Sequence, residues 1–196
     1  TPAGRRRDLC FDTCFALVPP GRRAGTASAS PVRVGTLTGG DCGRCGHPLH
    51  NLLDVDLSDR RFAFLKVRAT RLPVPACLSC FDWTYATFDR AGRAAWSPRT
   101  PEPEFEAEEY VPLAAGNLVL GPQARTPLEP TLGSPSSAVG GHPFWINDAE
   151  FPPCPGCRRP MPLVGHVDLG AVGADGIGYA YACGACRTTA ANFRCT

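Results

Sequence analysis

The chain has 196 residues and a mass of 20.8 kDa, which is enough for one ordinary hydrophobic core or two small ones. Its formal net charge of +2 excludes binding to nucleic acid or to an acidic membrane through whole-chain electrostatics. The apolar stretches are short and interrupted by Pro or Arg, well below the roughly 20 residues of a membrane-spanning helix. We therefore expect a soluble, cytoplasmic protein with no membrane contact.

The composition favours β-structure and divides the chain into four segments. The 21 glycines and 21 prolines indicate many turns and few long helices, so we expect a mainly β fold, at most β-rich α+β. Residues 1–30 are expected to form a partly flexible arm, and residues 100–138, rich in Pro, Glu and Ser, a connection. Residues 31–99 and 139–196 each contain two cysteine pairs and are expected to be two related halves.

Alternation of apolar and polar residues with a period of two predicts the strands. In chain order the candidate strands are 32–37, 53–57, 62–67, 83–87, 144–147 and 177–181. In the connection, acidic residues alternate with Phe105 and Ala107 over 102–109. This acidic stretch is predicted to be either an edge strand, whose charges would deter unwanted pairing, or a solvated linker.

The 11 cysteines carry the strongest chemical signal, because eight of them form Cys-x-x-Cys pairs. The pairs are Cys42 with Cys45, Cys77 with Cys80, Cys154 with Cys157, and Cys183 with Cys186. Two residues between thiolates let a tight turn aim both sulfurs at one point, and a tetrahedral Zn²⁺ needs two such turns. Four pairs therefore predict two structural zinc ions. Disulfides and dithiol redox chemistry are the alternatives; four strained Cys-x-x-Cys closures are unusual, and no amphipathic helical pattern follows any pair.

An internal repeat predicts which pairs share a metal. A shift of 112 positions places Cys42, Cys45, Pro48, Val55, Asp56 and Leu57 on Cys154, Cys157, Pro160, Val167, Asp168 and Leu169. A shift of 106 positions places Cys77 and Cys80, each pair preceded by Ala, on Cys183 and Cys186. Each half is thus expected to hold one zinc-ribbon-like site. The first site would use Cys42, Cys45, Cys77 and Cys80, and the second Cys154, Cys157, Cys183 and Cys186; crossed pairing between the halves is the alternative.

Four further groups of residues have a structural and a functional interpretation. The histidines near the cysteine pairs, His47, His50 and His166, are expected to be ordinary surface or strand residues, since no nucleophile stands in a recognisable motif with them. Free thiols are expected at Cys10, Cys14 and Cys195, with a third metal site as the alternative.

Asp56 and Asp168 occupy equivalent positions in the repeat, so we expect a shared structural task, such as fixing a knuckle turn. Trp145 is expected to be a core residue rather than an exposed anchor for a partner.

The second half contains a series of motifs in a characteristic order: residues 140–147 (Gly-Gly-His-Pro-Phe-Trp-Ile-Asn), the knuckle 153–157, the Pro-Met that follows it, Val167-Asp168, and the aromatic strand before Cys183. In these motifs and their order it resembles the bacterial YwqG family. The resemblance covers roughly residues 139 to 190 and extends more faintly to the first half. Asn147 stands where the family often has Gln, and Arg158 where Gly usually follows the knuckle.

The resemblance implies binding rather than catalysis. YwqG-like domains are similar to the C-terminal domain of programmed cell death protein 2, whose relatives hold a newly made ribosomal protein. Some bacterial members resemble immunity partners of secreted toxins.

These observations predict a protein-binding module with two structural zinc ions that caps or chaperones one specific protein client, and no enzymatic activity. Residues 1–99 contain 15 Lys or Arg against 8 Asp or Glu, net +7, whereas residues 100–196 contain 5 against 10, net −5. A basic client would dock on the acidic half. A nucleic-acid-binding zinc ribbon, using Arg5, Arg6 and Arg7, is the alternative, and an uncharacterised enzyme is the second alternative.

Overall fold

The structure is a computed structural model that describes residues 9–19, 31–80, 82–103, 106–110, 112–116, 118–128 and 137–195. This part of the chain is mainly β, as the composition predicts, and contains short 3-10 helices at Arg60–Leu65 and Leu169–Val172. The strands are β1 (Phe11–Val18), β2 (Val32–Arg33), β3 (Thr36–Asp41), β4 (Pro48–Asp56), β5 (Arg71–Ala76), β6 (Thr84–Phe88), β7 (Ala94–Trp96), β8 (Val119–Gln123), β9 (Ser137–Gly141), β10 (Leu163–Asp168), β11 (Ile177–Cys183) and β12 (Thr188–Arg194). Among these residues no helix has the length and apolar character needed to span a membrane.

The strands form two antiparallel sheets. The large sheet has the order β7-β6-β12-β11-β10-β9-β1-β8, so it combines strands from both halves of the chain. Its strand β1 falls in the segment predicted to be an N-terminal arm, and lies between β9 and β8. Residues 1–8 and 20–30 of that segment, which contain the arginines at 5–7 and 22–23, lie outside the described residues.

The small sheet is built around β4, with β5 along one edge and β2 and β3 along the other. Val32 lies opposite Val55 and Leu37 opposite His50, in one continuous register. The strand predicted at 32–37 is therefore present, but it is interrupted at Gly35, whose φ of +67° lies in the left-handed region.

The main hydrophobic core lies between the two sheets, which approach closely because one face of the large sheet carries small residues. Gly178, Ala180 and Ala182 alternate with larger residues along β11 and face this core. A Cβ added at Gly178 would lie 2.4 Å from Cδ1 of Leu52 in β4, closer than real contacts allow. Glycine at this position therefore lets a fully buried leucine of the small sheet sit directly on the backbone of the large one.

An aromatic layer covers the other face of the large sheet. Tyr179 and Tyr181 project from β11 into it, as the predicted alternation requires. Trp145 stacks on Tyr179 with ring centroids 4.9 Å apart, so Trp145 packs in a core, whereas the neighbouring Phe144 is 49% exposed. Phe151 and Trp83 complete the layer against Tyr181.

The strand predicted at 144–147 is wrong, and the tyrosine hydroxyl of the aromatic layer explains why. Ile146 N–H donates to the Tyr179 hydroxyl (3.1 Å), and that hydroxyl donates to the Phe144 carbonyl (2.9 Å). The backbone groups of this segment are thus satisfied by a side chain rather than by a neighbouring strand. The segment forms a loop over the large sheet.

The strand predicted at 62–67 is also wrong, because Arg60–Leu65 forms a 3-10 helix. The Asp59 side chain accepts from Arg61 N–H at its start, and Lys66 ends it in the left-handed region with φ 54°. The two buried residues, Phe62 and Leu65, are three positions apart, which is one turn of a 3-10 helix. In the acidic stretch, the described residues 102–103 and 106–109 are not in a strand, which leaves the linker interpretation.

The two halves repeat one order of elements: cysteine knuckle, strand, 3-10 helix, strand, cysteine knuckle, strand. They differ in how the last strand pairs. In the second half β12 pairs with β11, whereas in the first half β6 pairs with β12 across the repeat and not with β5. Pro73 and Pro75 lie two apart in β5, so one edge of that strand lacks two N–H donors and cannot accept β6 as a neighbour.

Candidate metal centres

The first centre brings together Cys42 and Cys45, from the turn before β4, with Cys77 and Cys80, from the turn after β5. The four Sγ atoms all lie within 4.8 Å of one another. Cys42 Sγ is 3.8 Å from Cys80 Sγ, and Cys45 Sγ is 3.5 Å from Cys77 Sγ. The cysteines converge as the repeat predicts, within one half of the chain.

The second centre groups Cys154 and Cys157 with Cys183 and Cys186 in the same way. Its four Sγ atoms also lie within 4.8 Å of one another, with 3.8 Å between those of Cys157 and Cys183. All 11 cysteines are free thiols, so the disulfide alternative does not describe this structure.

The first knuckle of each centre is the same turn. Cys42 N–H donates to the His47 carbonyl, and Gly46 N–H donates back to the Cys42 carbonyl. In the second half Cys154 N–H donates to the Arg159 carbonyl and Arg158 N–H to the Cys154 carbonyl, at positions shifted by 112. The repeat seen in the sequence is therefore a repeat of hydrogen bonds.

Arg158 occupies the place of Gly46 in this turn and adopts its conformation. Gly46 has φ +74°, and Arg158 has φ +61°, in a region that L-residues with a side chain enter at a cost. The departure from glycine noted in the sequence therefore leaves the turn's hydrogen bonds unchanged and adds local backbone strain.

The sulfur geometry of both centres fits a tetrahedral metal ion. With Zn–S bonds of about 2.3 Å, the edge of a tetrahedron of four thiolates is about 3.8 Å. The measured Sγ separations of 3.5 to 3.8 Å match that edge. Each centre could hold one metal ion, and the eight cysteines of the two groups are the residues that the sequence predicts.

The pKa shifts of the thiols in the first centre are those of a cluster that favours binding of a cation. The Cys77 thiol and the backbone N–H groups of Cys45 and Arg44 lower the pKa of Cys42 to about 4, against the effect of burial. In contrast, burial is the largest cause that raises the pKa of Cys80 to about 12. One thiolate is thus stabilised by its neighbours, while further ionisation in the same cluster is opposed until a metal supplies positive charge.

The second centre also combines one cysteine of lowered pKa with one of raised pKa, but different groups lower the pKa. Hydrogen bonds from the backbone N–H and the side chain of Arg159 lower the pKa of Cys157 to about 6. Burial is the largest cause that raises the pKa of Cys183 to about 12.

Burial distinguishes the two centres more than ligand geometry does. In the first, Cys42, Cys77 and Cys80 are buried, and the Trp96 ring lies directly against Gly43 of the knuckle. In the second, only Cys154 is buried and the other three cysteines are partly exposed. The first centre is enclosed by β7 and the second lies nearer to solvent.

The histidines lie outside both sulfur groups. His50 is buried, with Nδ1 2.9 Å from the Gly35 carbonyl and Nε2 2.5 Å from the Tyr110 hydroxyl. His47 Nδ1 lies 2.9 Å from Ser79 Oγ. His166 is a fully buried residue of β10. His50 and His166 are thus strand residues, as one of the two expected placements has it, and both are buried rather than on the surface.

The remaining cysteines belong to neither group. Cys14 is buried in β1, and burial raises the pKa of the Cys10 thiol to about 11. Cys195 is exposed, and its thiol donates to the Asp175 carbonyl at 3.4 Å. Within the described residues they form no third metal group.

Asp56 and Asp168 share a structural task, but at the end of the strand rather than at the knuckle. Asp56 Oδ1 accepts from Ser58 N–H and Asp168 Oδ1 accepts from Gly170 N–H, two residues further on in both cases. Each therefore fixes the turn that leaves β4 or β10. The hydrogen bonds from Ser58 hold the pKa of Asp56 below its usual value.

The described residues 102–103 and 106–110, named here the acidic segment, are tied to the surroundings of the first centre at three points. Arg44 pairs with Glu102, Glu108 N–H donates to the Ser79 carbonyl (2.8 Å), and Tyr110 bonds His50. Sequence reasoning missed these anchors, because the side-chain partners lie 58 and 60 positions apart and no pattern relates them.

The fold and the two centres define a class: a two-sheet β protein with two four-cysteine sites, each able to hold a metal ion. No protein-family model matches the chain, and no solved structure matches it. The chain is 28% identical over 211 residues to the uncharacterized protein YpfL of Salmonella typhimurium strain LT2. That alignment covers 100% of this chain and 48% of YpfL. The chain is a distant homologue of YpfL along its whole length and spans about half the length of that relative.

Proposed function

We propose that this chain is a zinc-stabilised protein-binding module that caps or chaperones one basic protein client. The observation that carries the proposal is the acidic segment. It is anchored beside the first four-cysteine centre at Glu102, Glu108 and Tyr110, while its described glutamates, Glu102, Glu106, Glu108 and Glu109, are exposed to solvent.

The donor set supports zinc in a structural role at both centres. Four thiolates in a tetrahedron are a ligand set typical of structural zinc, and they leave no open coordination position for substrate or water. The closed sites thus favour folding stability over metal-assisted catalysis as the contribution of the metals.

The charges of the acidic segment favour a basic partner. Glu106, Glu108 and Glu109 are exposed and have no ion-pair partner among the described residues, whereas Glu102 is neutralised by Arg44. Because the backbone N–H of Glu108 is hydrogen-bonded to the Ser79 carbonyl in the second knuckle of the first centre, less conformational freedom is lost when a partner binds. A partner that carries Lys or Arg would gain three unneutralised carboxylates in a preorganised arrangement.

The surface beside this segment offers room for a partner. A cleft of about 610 Å³ is lined by Arg44, Trp96, Glu102 and Glu106, so an aromatic ring and carboxylates face one space. Aromatic and arginine side chains are the residues that most often dominate binding energy at protein interfaces.

The resemblance to YwqG-like domains, and through them to a chaperone of a ribosomal protein, agrees with this assignment. A ribosomal-protein or toxin client with a basic surface is the kind of partner that the acidic segment would select. Under the nucleic-acid alternative, affinity would instead fall steeply with salt and depend on Arg5, Arg6 and Arg7.

Native mass spectrometry of the tagged chain, isolated gently from its source organism, tests the proposal. The expected mass is the chain plus two zinc ions plus one protein. A chain that carries two zinc ions and only nucleic acid, lost when Arg5, Arg6 and Arg7 are replaced by Ala, would contradict it.

A pair of matched variants locates the binding surface. Glu106→Gln/Glu108→Gln/Glu109→Gln removes three negative charges from the acidic segment and should reduce the client recovered by about tenfold or more.

The control removes the same total charge from exposed positions elsewhere, in Asp12→Asn/Asp41→Asn/Asp148→Asn, and should leave recovery unchanged. Equal losses in the two variants would indicate a long-range charge effect and contradict a docking surface at the acidic segment.

A further inference from the structure

A second cleft, of about 520 Å³, lies where the two halves of the chain meet. Leu78, inside the second knuckle of the first centre, forms one side. Leu169, from the 3-10 helix after β10, and Phe193, near the end of β12, form another. The cleft therefore exists only when both halves are folded against each other.

Carboxylates surround the apolar floor of this cleft. Glu108 and Glu109 approach from the acidic segment, and Asp175 from the turn between the 3-10 helix and β11. All three are exposed, and none has an ion-pair partner among the described residues. The lining contains no Lys, Arg or His among the residues that the structure describes.

Backbone hydrogen bonds fix the main chain at Glu108 and around Asp175, on two sides of the cleft. Glu108 N–H donates to the Ser79 carbonyl, next to Leu78. On the other side, Leu169 N–H donates to the Gly176 carbonyl (2.9 Å), and Ala174 N–H donates to the Leu169 carbonyl (3.0 Å). These bonds close the turn that carries Asp175, so the backbone positions of Glu108 and Asp175 at the edge of the apolar floor are set by the fold.

Cys195, in the same lining, reports the local electrostatic field. Burial raises the pKa of its thiol, and the negative charges of Asp175 and Glu108 raise it further. A field that opposes a new negative charge in the cleft favours a positive one.

We propose that this cleft binds an arginine side chain of the basic client. The inference rests on the proposed function and names the chemistry that the client must present. The aliphatic stem of the arginine would lie on the apolar floor of the cleft beside Leu78, and its guanidinium N–H groups would reach the carboxylates of Glu108, Glu109 and Asp175. Arginine fits better than a compact cation, because the site combines an apolar floor with several separated carboxylates.

A titration of the isotope-labelled, zinc-loaded chain with N-acetyl-arginine amide, followed by NMR, tests this site. The expected result is saturable shifts of signals from residues 173–176 and 193–195. N-acetyl-citrulline amide has nearly the same shape without the charge, and it should bind about tenfold more weakly or less. Equal binding of the two amides would overturn the proposal, and so would tighter binding of spermidine, which would assign the cleft to a free polyamine.

Matched variants distinguish binding at this cleft from a general effect of the protein's charge. Asp175→Asn should weaken arginine amide binding about threefold or more, whereas Asp12→Asn, an exposed residue of β1 outside the cleft, should leave it unchanged. Zinc content and thermal unfolding of both variants should equal those of the unmodified chain. Unchanged binding in Asp175→Asn would overturn the proposal.

The two proposals fail differently. A client recovered equally well with the unmodified chain and with Asp175→Asn, together with no arginine binding, overturns the arginine site and leaves the client-binding function standing. Saturable arginine binding with no client recovered from the source organism overturns the function and leaves the arginine site standing.

Discussion

The two four-cysteine centres share a knuckle but not an environment. Cys42 and Cys154 begin turns with the same backbone hydrogen bonds, yet the first centre has three buried cysteines and the second has one. The local sequence repeat therefore sets the ligand geometry, and the strands around each centre set its exposure. A duplicated metal site can keep its chemistry while its contribution to the fold diverges.

The sheets around the centres extend this difference. In the second half, β10, β11 and β12 are neighbours in one sheet, with β11 paired to both of the others. In the first half, β5 and β6 lie on different sheets, because Pro73 and Pro75 remove donors from one edge of β5. The first centre thus joins the small sheet to the large one at a place where no strand pairing connects β5 to β6.

The largest expected effect follows from this role as a junction. Cys77→Ser should abolish metal binding at the first centre and unfold the small sheet, since structural zinc contributes about 10 to 16 kcal/mol of apparent binding energy against a typical domain stability of about 5 to 15 kcal/mol. Cys186→Ser removes a partly exposed ligand from a continuously paired sheet and should reduce stability less. Circular dichroism on heating, with zinc content by native mass spectrometry, checks both. A Cys186→Ser variant that is the less stable of the two would reverse the comparison.

The rates of metal release should also differ between the two centres, with the second centre losing its metal first. With excess chelator, release from the second centre should be faster by about tenfold or more, because three of its four thiolates are open to attack by protons and chelator. A colorimetric chelator should therefore show two phases of equal amplitude, and Cys157→Ser should remove only the fast phase. A single phase for both ions would show that exposure does not control release.

The pairing of cysteines was predictable because its signal is local. Two residues between thiolates and a following proline recur at a fixed shift, so a repeat of the sequence is a repeat of the turn. The strands that alternate strictly, such as the one with Tyr179 and Tyr181, were predictable for the same reason.

The errors arose where distant residues satisfy the backbone or where periods overlap. Residues 144–147 are held by the Tyr179 hydroxyl, more than 30 positions away in the sequence. In residues 62–67, Phe62 and Phe64 suggest a period of two, but the buried pair is Phe62 and Leu65, with a period of three. The anchors of the acidic segment, Arg44 with Glu102 and His50 with Tyr110, join positions that only the folded sheets bring together.

A glycine on the large sheet tests how tightly the two halves are joined. Gly178→Ala would place a Cβ 2.4 Å from Leu52 Cδ1, and because Leu52 is fully buried the overpacking should cost about 1 to 3 kcal/mol of unfolding free energy. Gly40→Ala is the matched control in an exposed strand, where the nearest atom is 3.8 Å away, and it should change stability by less than about 0.5 kcal/mol. Equal stability of the two variants in urea would show that the sheets are not in close contact at Gly178.

The smallest effect concerns the one residue at which the two knuckles differ in strain. Gly46→Ala puts a side chain at φ +74° with open space around it, so only the backbone is penalised, and we expect a loss of about 1 kcal/mol. Arg158→Gly relieves the corresponding strain at φ +61°, but it also increases the freedom of the unfolded chain, so the expected gain is only about 0.5 kcal/mol. Arg158→Ala keeps the strain and removes the exposed side chain, and it should match the unmodified protein in urea denaturation. Opposite signs for Gly46→Ala and Arg158→Gly would show that the two turns are one template, whose second copy tolerates the strained backbone because the exposed side chain of Arg158 meets no steric barrier. Equal losses of unfolding free energy in Arg158→Gly and Arg158→Ala would instead assign the stabilisation to the arginine side chain.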